Sequence, residues 1–85
     1  MAWFEFIWMD DIGGNVEHVA QHGLTPDDFE FVFENYEDET FSESSGRPMR
    51  FGRTEDRRLI ASVFEWIEEE MTVYPVTAFE VRERR

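Results

Sequence analysis

The run Leu24-Thr25-Pro26-Asp27-Asp28-Phe29 leaves little choice about where a helix begins. Thr25 suits the N-cap, Pro26 suits the first helical position because its missing N–H costs nothing there, and Asp28 can complete a capping box. Leu24 and Phe29 flank this start as a hydrophobic staple, and Asp27, Asp28 and Glu30 complement the positive end of the helix dipole. Phe29, Val32, Phe33 and Tyr36 then recur at helical spacing, which predicts a helix over residues 25–35 with one aromatic face turned to a sheet.

The sheet is expected mostly in the second half. Residues 58–66 alternate, with Leu59, Ala61 and Val63 on one side and Ile60, Ser62, Phe64 and Trp66 on the other. Further strands are expected at 38–43 and 48–53, around the Ser44-Ser45-Gly46 turn, and at 71–81 beyond Glu68-Glu69-Glu70. Pro75 makes the last of these an edge strand or a bulged one. At the N-terminus, Phe4, Phe6 and Trp8 share one side of a strand over residues 3–8, after which Gly13-Gly14 breaks the chain. Asn15 is read as the N-cap of a short helix ending before Gly23 (residues 15–22). The expected fold class is therefore α+β: two N-terminal helices packed on an antiparallel sheet in a single domain, 1–85.

At 85 residues a domain buries roughly 60–65% of its unfolded surface, so it depends on large side chains. Nine Phe, three Trp and two Tyr supply them, and the absence of cysteine excludes disulfides and thiolate metal sites. No segment approaches the roughly twenty apolar residues of a membrane span. The apolar start WFEFIW carries Glu5 and lacks a basic flank, unlike a signal peptide. A cytoplasmic protein that binds no membrane is expected.

Charge is divided along the chain. Residues 1–46 hold twelve carboxylates and no Arg or Lys; residues 47–85 hold eight carboxylates and eight arginines, so the first half carries the net −12. A pI near 4.3 argues against indiscriminate nucleic-acid binding. Five arginines (Arg47, Arg50, Arg53, Arg57, Arg58) crowd one short stretch, and guanidinium is suited to bidentate recognition of phosphate or carboxylate. Three readings stand side by side: pairing with the chain's own carboxylates, a phosphate clamp, and contact with a partner protein. In the clamp reading, Arg53 and Arg58 bracket a four-residue turn, pair across the ladder and hold one anion on a shared face. His18 and His22 stand one helical turn apart, a spacing that suits two metal ligands, but no third ligand is evident and no metal is assigned. His18, His22 and Tyr74 are the acid–base candidates besides carboxylates.

The run Asn15-Val16-Glu17-His18-Val19-Ala20-Gln21-His22-Gly23-Leu24-Thr25-Pro26, followed by Val32-Phe33-Glu34, resembles the N-terminal signature of the BrnT family. Trp8 and Asp10 fit the strand that precedes that signature. Arg50-Phe51-Gly52-Arg53-Thr54 with Arg58-Leu59-Ile60 and Val63 resembles the family's arginine hairpin, and Val76-Thr77-Ala78 its late strand. The resemblance covers roughly Phe6 to Val81. It implies a RelE-like fold and the toxin of a type II toxin–antitoxin pair, with a ribbon-helix-helix antitoxin as partner. The assembly would be a homo-oligomer or a hetero-oligomer with that antitoxin. The implied activity is RNA cleavage needing no cofactor, in which the 2′-hydroxyl attacks the neighbouring phosphate and arginines stabilise the developing charge. Arg50, Arg53 and Arg58 take the catalytic positions, and Arg47, Arg53 and Arg58 the RNA contacts. Phe79 stands where the family carries a further arginine. A non-catalytic protein-binding module is therefore the alternative expectation.

Overall fold

The computed structural model describes residues 4–67 and 71–82. Trp3 of the expected first strand, the expected turn at Glu68-Glu69-Glu70 and the last two arginines, Arg84 and Arg85, lie outside them. Strand β1 (Glu5–Phe6) leads into helices α1 (Asn15–Ala20) and α2 (Pro26–Glu34), then strands β2 (Asp38–Phe41), β3 (Pro48–Arg53), β4 (Leu59–Ile67) and β5 (Thr72–Glu80). The strands form one sheet in the order β1-β5-β4-β3-β2.

This corrects the expected fold class. Two helices across an antiparallel sheet, the RelE-like α+β layer, does not describe the molecule, which is chiefly a five-stranded mixed sheet carrying two short helical segments of six and nine residues. The meander β2 to β5 is antiparallel, but β1 runs parallel to β5, pairing Glu5 with Thr72 and Phe6 with Val73. The helical segment carries the chain from one sheet edge to the other, and β5 returns to β1 only after the whole meander. Such a pairing is non-local and leaves no period in the sequence.

Strand β1 is shorter than its aromatic alternation predicts because the chain turns away after Ile7. Gly13 has φ +81° and Gly14 packs so closely on Met9 that a Cβ there would clash with the Met9 carbonyl oxygen. Gly14, not Asn15, is the N-cap of α1, and it makes no side-chain capping bond. The Asn15 side chain is buried instead: Oδ1 accepts from the Met9 N–H at 2.7 Å, and Nδ2 donates to the Ile7 and Pro75 carbonyls at 2.8 Å each. One amide thus fastens the β1–α1 connection to β5.

The start of α2 is fixed by a reciprocal capping box, Asp28 N–H to Thr25 Oγ1 at 3.1 Å and Thr25 N–H to Asp28 Oδ2 at 3.0 Å. Both helices lie on one sheet face. There Val19, Leu24, Phe29, Val32 and Phe33 meet Ile60, Phe64, Val73 and Ala78 in the core. Phe33 is fully buried and meets Phe4, Phe6, Phe64 and Trp66 edge-on, with ring centroids 4.8–5.8 Å apart. Edge-to-face aromatic pairs contribute about 0.5–1.5 kcal/mol each beyond area burial. In the β4–β5 ladder the register slips between Val63 and Phe64, so that Val63 faces Thr77 and Phe64 faces Pro75, which accommodates the proline through a bulge in β5.

The opposite sheet face carries Met49, Phe51 and Leu59, half-buried, around the buried Ala61 and Val63. No helix or strand covers it among the described residues.

Candidate functional site

The arginine positions are set by β3, β4 and the turn between them. Arg53 pairs with Leu59, not with Arg58. The turn closes one residue further in: the Thr54 N–H donates to the Arg58 carbonyl and the Arg57 N–H to the Thr54 carbonyl, both at 2.9 Å. Arg57 occupies the left-handed region at φ +73°, which makes it the extra residue of a bulged turn. That residue shifts the register by one and sends Arg53 and Arg58 to opposite sides of the pleat. The expected two-arginine clamp across the ladder is therefore not formed.

Each arginine has its own setting. Arg50 is 9% exposed, with its guanidinium carbon 4.2 Å from the Phe33 ring centroid and 4.1 Å from that of Tyr36. Its Nε donates to Glu39 Oε2 at 2.8 Å and its Nη1 to the Phe33 carbonyl at 3.1 Å, at the negative end of α2. Arg47 is paired through Nε with Glu65 at 2.5 Å. Arg58 holds both Asp56 oxygens through Nε, at 3.1 and 3.2 Å. Its other nitrogens reach the Gly23 carbonyl at 3.3 Å and Asp28 at 3.8 Å. Arg53 donates from Nη1 to the Arg57 carbonyl at 3.2 Å, and with Arg57, Glu37 and Glu55 it lines a hollow of about 400 Å³. Arg57, to which no role fell from the sequence, is thus the residue brought beside Arg53. Only its left-handed backbone does this, and no glycine marks that position.

The acid–base candidates do not converge on Arg50. His18 and His22 are exposed, the His22 ring lies 6.4 Å from Phe79, and Tyr74 faces Glu65 across the β4–β5 ladder. Arg58 bonds the carbonyl of Gly23, the residue after His22. Among the described residues no group of three or more His, Asp or Glu could hold a metal ion. No helix among them is long and apolar enough to cross a membrane.

One carboxylate is electrostatically distinctive. The Thr54 hydroxyl donates to Asp56, and this bond, followed by Arg58, holds the Asp56 carboxyl below the usual aspartate range. The same hydroxyl oxygen accepts from the Arg58 N–H at 3.1 Å. Thr54, Asp56 and Arg58 therefore form one closed network that stiffens the turn. A second concavity, of about 410 Å³, lies beside β2 and is lined by Glu39, Thr40, Phe41, Pro48, Arg50 and Trp66. Comparison with protein-family models, with curated proteins and with solved structures gives no match for this chain.

Proposed function

We propose that this chain is a non-catalytic protein-binding module acting in the cytoplasm. One observation carries the reading: the arginines that a phosphate clamp would need are dispersed. Arg50 is stacked on the Phe33 and Tyr36 rings and paired with Glu39, Arg53 and Arg58 stand on opposite sides of the pleat, and Arg47 and Arg58 are bound to carboxylates of the chain itself. One surface open to a partner is the uncovered sheet face around Met49, Phe51 and Leu59, rimmed by Arg47 and Glu65. Apolar centres with arginine at the margin suit protein contact. The BrnT resemblance supplies the partner to test, a ribbon-helix-helix protein.

A ribonuclease reading keeps one observation in its favour, the approach of Arg58 to the chain end of α1 beside His22. A phosphate there has to displace Asp56 and Asp28 from the guanidinium. Inducing the lone chain in cells and following growth and RNA integrity decides between the two. The binding module leaves growth and RNA intact. Growth arrest with RNA cleavage, abolished in Arg58→Gln while the melting temperature holds, overturns it.

A further inference from the structure

The sheet has two edges, and they differ. Strand β1 is two residues long, whereas β2 is four residues long and exposed throughout. The Ser42 N–H donates to the Arg47 carbonyl at 2.7 Å, and the pairs Phe41–Pro48, Thr40–Met49 and Glu39–Arg50 follow in register. Antiparallel pairs alternate between bonded and non-bonded, so Glu39 and Phe41 turn their N–H and C=O groups away from β3, and the Glu39 N–H donates to the Asp38 carboxylate at 2.9 Å. Proteins usually blunt such an edge with lysine, proline or a cover. Here the flanking charges are Glu37, Asp38, Glu39 and Glu43, and Phe41 is 68% exposed beside the concavity walled by Pro48 and Trp66.

We propose that β2 accepts an extended, lysine- or arginine-bearing segment of a partner protein as a sixth strand. This rests on the binding-module reading and names the chemistry of the partner. Charge decides the occupant. A second copy would bring another chain of net charge −12 and oppose carboxylate to carboxylate along the new ladder. A cationic strand meets the same carboxylates favourably, while its backbone takes up the outward N–H and C=O of Phe41 and the Glu39 carbonyl. Alternate side chains of the added strand point to one face, where an apolar residue or the stem of a lysine can enter the concavity against Phe41 and Trp66.

The test is an NMR titration of the whole chain with a blocked peptide alternating lysine and valine, at physiological ionic strength. The expected result is amide shifts centred on residues 37–43, slowed hydrogen exchange at Phe41, and a shifted Trp66 indole. The triple variant Glu37→Gln, Asp38→Asn, Glu43→Gln, which leaves the Glu39–Arg50 pair intact, should bind about tenfold more weakly. An equally charged peptide alternating lysine with proline, which cannot donate to a ladder, should give no exchange protection. Equal binding by an alternating glutamate–valine peptide, or no shifts at β2, overturns the proposal. So does protection at β2 that grows with protein concentration in the absence of peptide, which would make the occupant a second copy. RNA cleavage by the purified chain would instead remove the binding-module reading and leave peptide binding at β2 as measured.

Discussion

Arg50 sits between the Phe33 and Tyr36 rings with Nε on Glu39 and Nη1 on the Phe33 carbonyl, so its charge is spent on holding β3, β2 and the end of α2 together. The cation–π contact with a desolvated guanidinium and the charge-assisted bonds set an expected loss of about 2–4 kcal/mol for Arg50→Ala, discounted because Glu39 is partly exposed. Arg50→Lys keeps the charge but not the planar stack, and should lose about 1–2 kcal/mol. Denaturant melts check both, and a loss under about 1 kcal/mol for the alanine variant would remove Arg50 from the core. Asp56 makes a separate prediction. Its folded pKa is depressed, by the Thr54 hydroxyl first and Arg58 next, so its contribution is present above the unfolded value and is lost as pH falls through the folded one. In a carboxyl titration followed by NMR, Asp56 should therefore titrate below the usual aspartate value of about 4. Thr54→Val should raise that midpoint toward the usual value, and an unchanged midpoint would show that the hydroxyl is not the principal cause.

At the scale of elements, one buried amide does what the short β1 strand cannot. Asn15 satisfies the Met9 N–H and the Ile7 and Pro75 carbonyls at once, joining the chain before α1 to the bulged part of β5. Asn15→Ala strands those groups and should cost about 2–4 kcal/mol, with faster hydrogen exchange in β1 and the start of α1 before global unfolding. A cost of about 1 kcal/mol or less, that of a lost N-cap, would restore the capping role. This residue also shows why the sequence is only partly legible. Asparagine before an apolar periodic stretch is a sound N-cap signal, and nothing local distinguishes it from a buried bracket to a strand 60 residues away. The capping box at Thr25 and Asp28 could be read because every partner lies within four residues. The parallel β1–β5 pair could not, since it depends on a contact across the whole chain. The arginine clamp was misplaced for a subtler reason. A left-handed Arg57 adds one residue to the turn, and without a glycine to announce it the register is off by one, which is enough to reverse the face of Arg58.

For the whole molecule the controlling quantity is charge. Twenty carboxylates face eight guanidinia, so even complete one-to-one pairing leaves twelve carboxylates unmatched. Arg50 and Arg58 each bring a carboxylate of the first half, Glu39 and Asp28, to the second half, which relieves part of the imbalance between them. The excess remains on α2, β2 and the loops, where carboxylates repel within a Debye length of about 8 Å at physiological salt. Two effects then oppose each other as salt rises: screening weakens the arginine pairs and also weakens the self-repulsion. The exposed pairs contribute at most about 1 kcal/mol each, and Arg50 is shielded from solvent, so relief of repulsion should win. The melting temperature should therefore rise as sodium chloride is raised from low to moderately high concentration. The rise should be smaller in the variant lacking the charges of Glu37, Asp38 and Glu43, because those carboxylates flank one another on a single exposed edge. A melting temperature that falls with salt in the parent chain would mean that the arginine pairs outweigh the repulsion, and that the acidic half is held in place by attraction to the arginine hairpin.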